Sequence, residues 1–216
     1  MKEDKALVIL GSGGHCKVII DCIVSSGLGK ILFLADYDPK KQGSELFGFG
    51  IESEDEIFRR CEPESVDLVL GIGATGNLQK RKIIFEKFKT KGYSFRTIAH
   101  KNSLFSSYSD IREGGQIFAG AIVQAGAKIG ENVILNTSAR IDHDCRIDSH
   151  CHISPGAILC GNVFVGENTH IGAGTVIREG IRIGSNCIVG AGSVVVKDVP
   201  DGSLCYGNPA VPVGKI

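Results

Sequence analysis

His143 stands between two carboxylates in the run Ile141-Asp142-His143-Asp144-Cys145. An acid beside an imidazole fixes its tautomer and raises its basicity, which is what a general base working near neutral pH requires. The plain alternative is a solvated histidine held by Asp144. His150, His152 and His170 follow. Two imidazoles on one side could chelate zinc, but no third histidine stands at a spacing that completes such a site, so no metal is expected. A second group lies near the start, where Gly11-Ser12-Gly13-Gly14-His15 follows the apolar run Ala6–Leu10. A glycine-rich turn between a strand and a helix points backbone N–H groups at an anion such as phosphate. Gly11, Gly13 and the later Asp36 superficially fit a dinucleotide fingerprint. Cys16, however, replaces its third glycine, and the domain is about half the size of a full dinucleotide fold. A ligand loop is therefore favoured over a nicotinamide oxidoreductase. His15, opening the helix, is either a ligand contact or a cap.

These groups need a frame, and a repeat supplies one. From Ile111 to Val195 every sixth residue is Ile, Leu or Val, fifteen times without a slip. That is the period of a hexapeptide β-helix. Each hexapeptide is a short strand plus a corner, and three make one triangular coil. The ladder residue fills the interior, while the fourth residue after it is small or β-branched, as at Ala139, Cys145, Cys151, Thr169 and Cys187. Gly130, Gly166, Gly172, Gly184 and Gly190 follow ladder residues directly and are expected to supply the corner's backbone angles. Fifteen hexapeptides make about five coils, or roughly 24 Å of prism.

Residues eighteen apart stack in such a prism. His143 then lies between Ala125 below and Gly161 above, with its imidazole facing open space. The N–H of Gly161 is a candidate donor to a developing oxyanion. His152 stacks on His170. Pro155, Ala173 and Ala191 form a smooth column along one edge, a wall suited to a pantetheine arm. His143 and His152 are nine residues apart, half a coil, and should lie on opposite sides of one prism.

The first hundred residues read as strands alternating with helices. Strands are expected at Ala6–Leu10, Ile31–Ala35, Val66–Leu70 and 93–98. Helices are expected after the glycine turn, over 53–60 with Ser53 as cap and Glu56 completing a capping box, and over 77–89. Such alternation implies a small parallel sheet. The boundary falls near 100–110, where the period changes. The sequence divides into an α/β domain over 1–100, a small Rossmann-like parallel sheet, and a β-helix over 101–216.

The chain has 216 residues, with 24 basic and 24 acidic side chains. This balance argues against a nucleic-acid or membrane surface, and no apolar run reaches the length of a membrane span. None of the eight cysteines forms a Cys-x-x-Cys pair. Several occupy the small inward position, so buried free thiols and a reducing cytoplasm are expected.

The Gly-Ser-Gly-Gly-His loop, the uninterrupted repeat and the ending Tyr206-Gly207-Asn208-Pro209-Ala210 together resemble bacterial sugar acyltransferases of the sialic-acid O-acetyltransferase type. Within them, Asn136-Thr137-Ser138, Ile141-Asp142-His143-Asp144-Cys145, His152 and Cys160-Gly161-Asn162 are most similar to the UDP-4-amino-sugar N-acetyltransferases of bacillosamine biosynthesis, which carry Glu in place of Asp144. The resemblance implies that the β-helix is left-handed, that His143 is the base and that Asp144 orients it. It assigns His152 and Gly161 to acetyl-CoA, beside the Ala173 and Ala191 column. It places a nucleotide-linked sugar against Gly13, Gly14, His15, Asp36 and Gly73, and it implies a homotrimer with sites between subunits. The expected reaction is acetyl transfer from acetyl-CoA to a nucleotide-linked 4-amino-4,6-dideoxy sugar. The rivals are O-acetylation of a sialic-acid-like sugar and a non-catalytic nucleotide-sugar-binding scaffold.

Overall fold

The computed structural model describes residues 5–74 and 78–216. Strands β1 (Ala6–Leu10), β2 (Ile31–Ala35), β3 (Glu45–Leu46), β4 (Phe49–Glu52), β5 (Val66–Leu70) and β6 (Ser94–Phe95) form one sheet in the order β3-β4-β2-β1-β5-β6. Every pair except β3–β4 is parallel. This is the Rossmann-like arrangement that the strand–helix alternation implies. Leu7, Val8, Ile9 and Leu10 of β1 are all fully buried, as a central parallel strand covered on both faces requires. Helix α1 (Gly14–Ser26) begins at the glycine turn and stops at Gly27, whose left-handed φ of 63° places its N–H on the carbonyls of Ile23 and Val24.

Two local expectations are corrected. Helix α2 (Asp55–Arg60) starts after Glu54, with no side-chain cap, so Ser53 and Glu56 form no capping box. The strand expected over 93–98 is divided: β6 closes the sheet, while β7 (Ile98–Ala99) pairs with Gln116–Ile117 and is already the first rung of the prism. The helix expected over 77–89 is α3 (Leu78–Lys89); Asn77 lies outside the described residues.

Three parallel sheets form the prism's faces. One, here the domain face, presents Ile98, Gln116, Ile134, His152, His170 and Ile188 outward at eighteen-residue steps. The next presents Leu104, Ile122, Arg140, Ile158, Val176 and Val194, an apolar face with one charge. The third presents Asp110, Lys128, Arg146, Phe164 and Arg182. From Ile117 to Val195 every ladder residue is at most 1% exposed, so the interior is filled by side chains and is no channel. The ladder also begins earlier than its aliphatic run suggests, because Ala99 and Phe105 occupy the same register.

The corner angles come from a different position than expected. Every sixth residue from Gly114 to Gly192 has positive φ, and Asn132, Ser138, Asp144, His150, Asn162, Asn168 and Asn186 share the slot with glycines. Short polar side chains tolerate that conformation. Gly130 and Gly172, directly after ladder residues, answer instead to close approach: a Cβ would stand 2.6 Å from Ser149 N and 2.5 Å from Ala191 N of the next coil.

The small inward residues do more than save space. Cys145, Cys151, Thr169 and Thr175 each donate to the carbonyl fifteen residues on, at Cys160, Gly166, Gly184 and Gly190. Their thiols and hydroxyls satisfy corner carbonyls that the rung ladder leaves free. All eight cysteines are free thiols.

The two domains share a core: Ile19, Ile20 and Ile23 of α1 pack with Ile98, Phe118 and Ile134 of the domain face. Helix α3 lies along the neighbouring corner. Gln79 meets Asn186, Lys82 pairs with Glu167, Phe85 packs edge-on to His150, and Lys89 pairs with Glu113. A helical turn rises about 5.4 Å and a rung about 4.8 Å, so the first three of these turns meet successive coils, and Lys89 reaches a coil further on. Among the described residues no helix is long and apolar enough to cross a membrane.

Thr169 tests the internal bonding. Its hydroxyl donates to Gly184 O at 2.8 Å and accepts from Cys187 N at 3.0 Å. Thr169→Val keeps the shape and removes both bonds, leaving buried groups unpaired. Thermal denaturation should show a loss of about 1–3 kcal/mol, with Thr169→Ser closer to wild type.

Candidate active site

The corner between the apolar and third faces holds His143 and Asp144. Asp144 occupies the left-handed slot with φ 59°, and its Oδ2 lies 2.9 Å from His143 Nδ1. The short carboxylate therefore reaches the imidazole. Asp suits the slot because a short polar side chain takes left-handed angles at little cost. With Nδ1–H donating to Asp144, Nε2 is left as the acceptor. The hydrogen bond it donates to Asp144 holds the imidazole above its ordinary pKa, reinforced by the charge of Asp142. Both His143 and Asp144 are exposed.

Open space above His143 was the expectation from stacking, and it is corrected. The imidazole lies across Gly161, where a Cβ would come 2.5 Å from Nε2. Gly161 has no positive φ, so absence of a side chain is what the position requires. Among the described residues nothing accepts a hydrogen bond from its N–H. A basic nitrogen and a free N–H thus share one exposed corner, the pairing that deprotonation and oxyanion stabilisation need.

The glycine-rich turn borders a cavity of about 420 Å³ between β1, β2, β5 and α3. Gly13 and Gly14 are exposed, and added Cβ atoms would meet nothing within 4 Å. Gly11, with φ +98°, and Gly71 are fixed by close approach, since side chains there would strike Ile72 and Ile9. Gly73 lies beside His15. Asp36 is 3% exposed and accepts from Ser12 N at 2.9 Å, Ser12 Oγ, Asp38 N and Lys41 Nζ. Burial pushes its pKa up, but these bonds more than offset that and leave it below the carboxylate range. Asp36 thereby clamps the turn onto the end of β2. His15 does not cap α1; its Nε2 meets Gln116 Oε1 at 2.9 Å, and its ring meets Phe118 edge-on. Burial and the charge of Arg81 lower its pKa to about 4, so it is neutral.

His152 is no surface residue. It is 3% exposed, its Nε2 accepts from Asn136 Nδ2 at 3.0 Å, and its ring sits perpendicular to His170 at 4.9 Å. Burial chiefly, then His170, His15 and Arg81, lower its pKa to about 3. Arg81 is itself 1% exposed and donates to Leu70 O and Ile72 O beneath the cavity loop. His150 lies apart, bonded to Asn132 and packed on Phe85. Among the described residues no three His, Cys, Asp or Glu side chains gather as a metal site. Ala173 and Ala191 are exposed along the corner between the domain and apolar faces.

The structure thus brings His143, Asp144 and Gly161 together, and separately Gly13, Gly14, His15, Asp36 and Gly73, with His152 behind them. It does not join the two groups within one chain. The cavity belongs to the domain-face side, and the His143 corner is the corner opposite that face. Sequence reading missed Gln116, Arg81 and the cavity residues Tyr37, Lys41 and Lys80. Tyr37 alone carried a signal, following Asp36 at the end of a strand.

This pairing of a small parallel sheet with hexapeptide coils and an exposed basic imidazole defines an acyltransferase of the hexapeptide class. Residues 6–88 match the PglD N-terminal domain, and residues 162–197 match the bacterial transferase hexapeptide of six repeats. The chain is similar to the acetyltransferase domain of PglB from Neisseria gonorrhoeae FA1090, at 35% identity over 97% of this chain and 100% of that one, with a TM-score of 0.88 for its complex with acetyl coenzyme A. It is also similar to PerB from Caulobacter crescentus, solved with CoA and GDP-perosamine, at 33% identity over 97% of both chains and a TM-score of 0.88. The chain belongs to the bacterial sugar acetyltransferases that join a PglD-type N-terminal domain to hexapeptide repeats.

Gly161→Ala tests the corner. A methyl group there must displace the imidazole. Turnover should fall at least about 100-fold, the scale of losing a positioned base or oxyanion donor, while thermal stability stays near wild type because the imidazole that must move aside is exposed. Wild-type turnover in this variant would remove the His143–Gly161 arrangement from the mechanism.

Proposed function

We propose that the chain transfers the acetyl group of acetyl-CoA to the amino group of a nucleotide-linked 4-amino-4,6-dideoxy sugar. The observation that carries this reading is the corner itself: Asp144 Oδ2 stands 2.9 Å from His143 Nδ1, which leaves Nε2 as the base, and the imidazole lies across Gly161. Nε2 removes the amine proton as the nitrogen attacks the thioester carbonyl carbon. The N–H of Gly161 faces the resulting oxyanion. When the adduct collapses, the C–S bond breaks and the departing thiolate recovers the proton from the imidazolium, so no covalent enzyme intermediate is needed. PglB with acetyl coenzyme A and PerB with CoA and GDP-perosamine support the two substrate classes.

The acceptor belongs in the cavity of one subunit, facing His143 of the next. The apolar face supports a threefold assembly, because a parallel sheet apolar on both sides is ordinarily covered. Ile122, Ile158, Val176 and Val194 are half-buried there, and Leu104 is exposed. With that face toward the axis, the Ala173–Ala191 corner of one prism flanks the His143 corner of its neighbour. The exposed small residues leave room between them for the pantetheine arm, with His152 and the cavity on the same side.

Release of the CoA thiol, measured with a panel of nucleotide-linked amino sugars and free sialic acids, tests the reaction. Turnover is expected with the amino sugars alone; turnover of the sialic acids would instead mark an O-acetyltransferase, and tight nucleotide-sugar binding without turnover a scaffold. His143→Ala should lose roughly 100- to 10,000-fold. Asp144→Asn should lose less, and its sign is fixed: Asp144 raises the pKa of His143, so removing its charge moves the acid limb of kcat/KM to lower pH.

Shared sites make a separate prediction. His143→Ala and His152→Ala should each be impaired alone. Refolded together, they should recover part of the activity, since one interface of a mixed trimer receives both wild-type histidines. Light scattering confirms the trimer and the subunit exchange; mixed trimers without recovered activity would exclude the shared site.

A further inference from the structure

Beyond the glycine turn, the cavity has a second wall that neither the sequence motifs nor the mechanism uses. Tyr37 follows the strand β2 and is 65% exposed, yet its ring is not loose. Lys80, from the first turn of α3, places Nζ 4.4 Å from the ring centroid and 3.3 Å from the phenol oxygen. An ammonium seated on one face fixes the ring's orientation. With so much of the ring exposed, the opposite face is left to solvent. Lys41 adds a second ammonium, anchored at 3.1 Å to the buried Asp36. An exposed aromatic ring held at the edge of a polar cavity, with two cations beside it, is complementary to one ligand chemistry: a flat heterocycle joined to an anionic linker. Asp36 is poorly placed to take the heterocycle's ribose, because its carboxylate already receives hydrogen bonds from Ser12, Asp38 and Lys41.

We propose that Tyr37, oriented by Lys80, is the platform on which the nucleobase of the acceptor stacks, with Lys41 and Lys80 flanking the diphosphate. The inference rests on the reading of this cavity as the acceptor's site, and it assigns the nucleotide half of that acceptor to residues outside the glycine turn. Stacking tolerates any base, so the platform selects for a nucleotide over a bare sugar phosphate and not for one base over another.

Calorimetry with UDP and GDP as probes tests the platform without turnover. Wild type should bind both. Tyr37→Ala should weaken both about 10- to 100-fold, the range of one lost base–aromatic stack, while Tyr37→Phe stays within about threefold because the ring remains. In turnover assays Tyr37→Ala should raise the acceptor's KM, leaving kcat and the KM for acetyl-CoA near wild type. Unchanged affinity in Tyr37→Ala, or equal loss in Tyr37→Phe, overturns the platform, as does failure of wild type to bind either probe. The two readings fail separately. Turnover of the nucleotide amino sugar with unchanged KM in Tyr37→Ala sinks the platform alone. Ring-dependent binding of the diphosphates without turnover of any amino sugar sinks the proposed reaction and leaves the platform standing.

Discussion

Parallel pairing of rungs eighteen residues apart is the constraint on which the rest depends. It holds from Ile98 to Ile188 on the domain face without interruption. Because register is fixed, each residue's neighbours above and below are fixed too, and single positions acquire single duties. The left-handed slot recurs once per hexapeptide, and it is there that Asp144 turns back on His143. Gly161 is one coil above His143 and must lack a side chain for the imidazole to lie down. Hydroxyls and thiols point inward at the one place where a corner carbonyl waits for them.

The same side chain is given opposite tasks by its surroundings. His150 and His152 are buried and His15 half-buried, and desolvation, helped by neighbouring positive charge from Arg81 and, at His150, Lys82, keeps them neutral. His143 is exposed beside two carboxylates, and its proton affinity rises. Neutral imidazoles can accept or donate without introducing charge behind the glycine-rich loop, whereas the one at the corner is made more basic. Arg81, tied to the carbonyls of Leu70 and Ile72, supports the loop, while burial at one end and carboxylates at the other set the contrast.

Much of the prism was legible because its signal is periodic. A sixfold aliphatic spacing survives reading without coordinates, and the stacking of His152 on His170 and of His143 beneath Gly161 followed by counting. What counting could not supply was the reason behind a residue. Gly130 and Gly172 were read as corner formers, but the left-handed positions lie elsewhere and these two are small because the next coil passes close by. The rung at Ile98 was absorbed into a strand of the first domain, since Ala99 and Phe105 break the aliphatic run while keeping its register. The cavity was half visible. Its glycine turn has a local pattern, whereas Tyr37, Lys41, Gln116 and Lys80 are joined only by tertiary packing, and no spacing along the chain connects them.

The seam between α3 and the prism has a consequence for size. Gln79, Lys82, Phe85 and Lys89 grip four different coils, so the first domain is stapled to particular rungs and cannot slide along the prism. The height of His143 relative to the glycine turn is therefore fixed. Adding or removing a coil between them would shift that height by about 4.8 Å at a time, with nothing in between. Finer adjustment of that distance falls to side chains at the mouth of the cavity. The prism acts as a ruler with coarse graduations, and the α/β domain as its vernier.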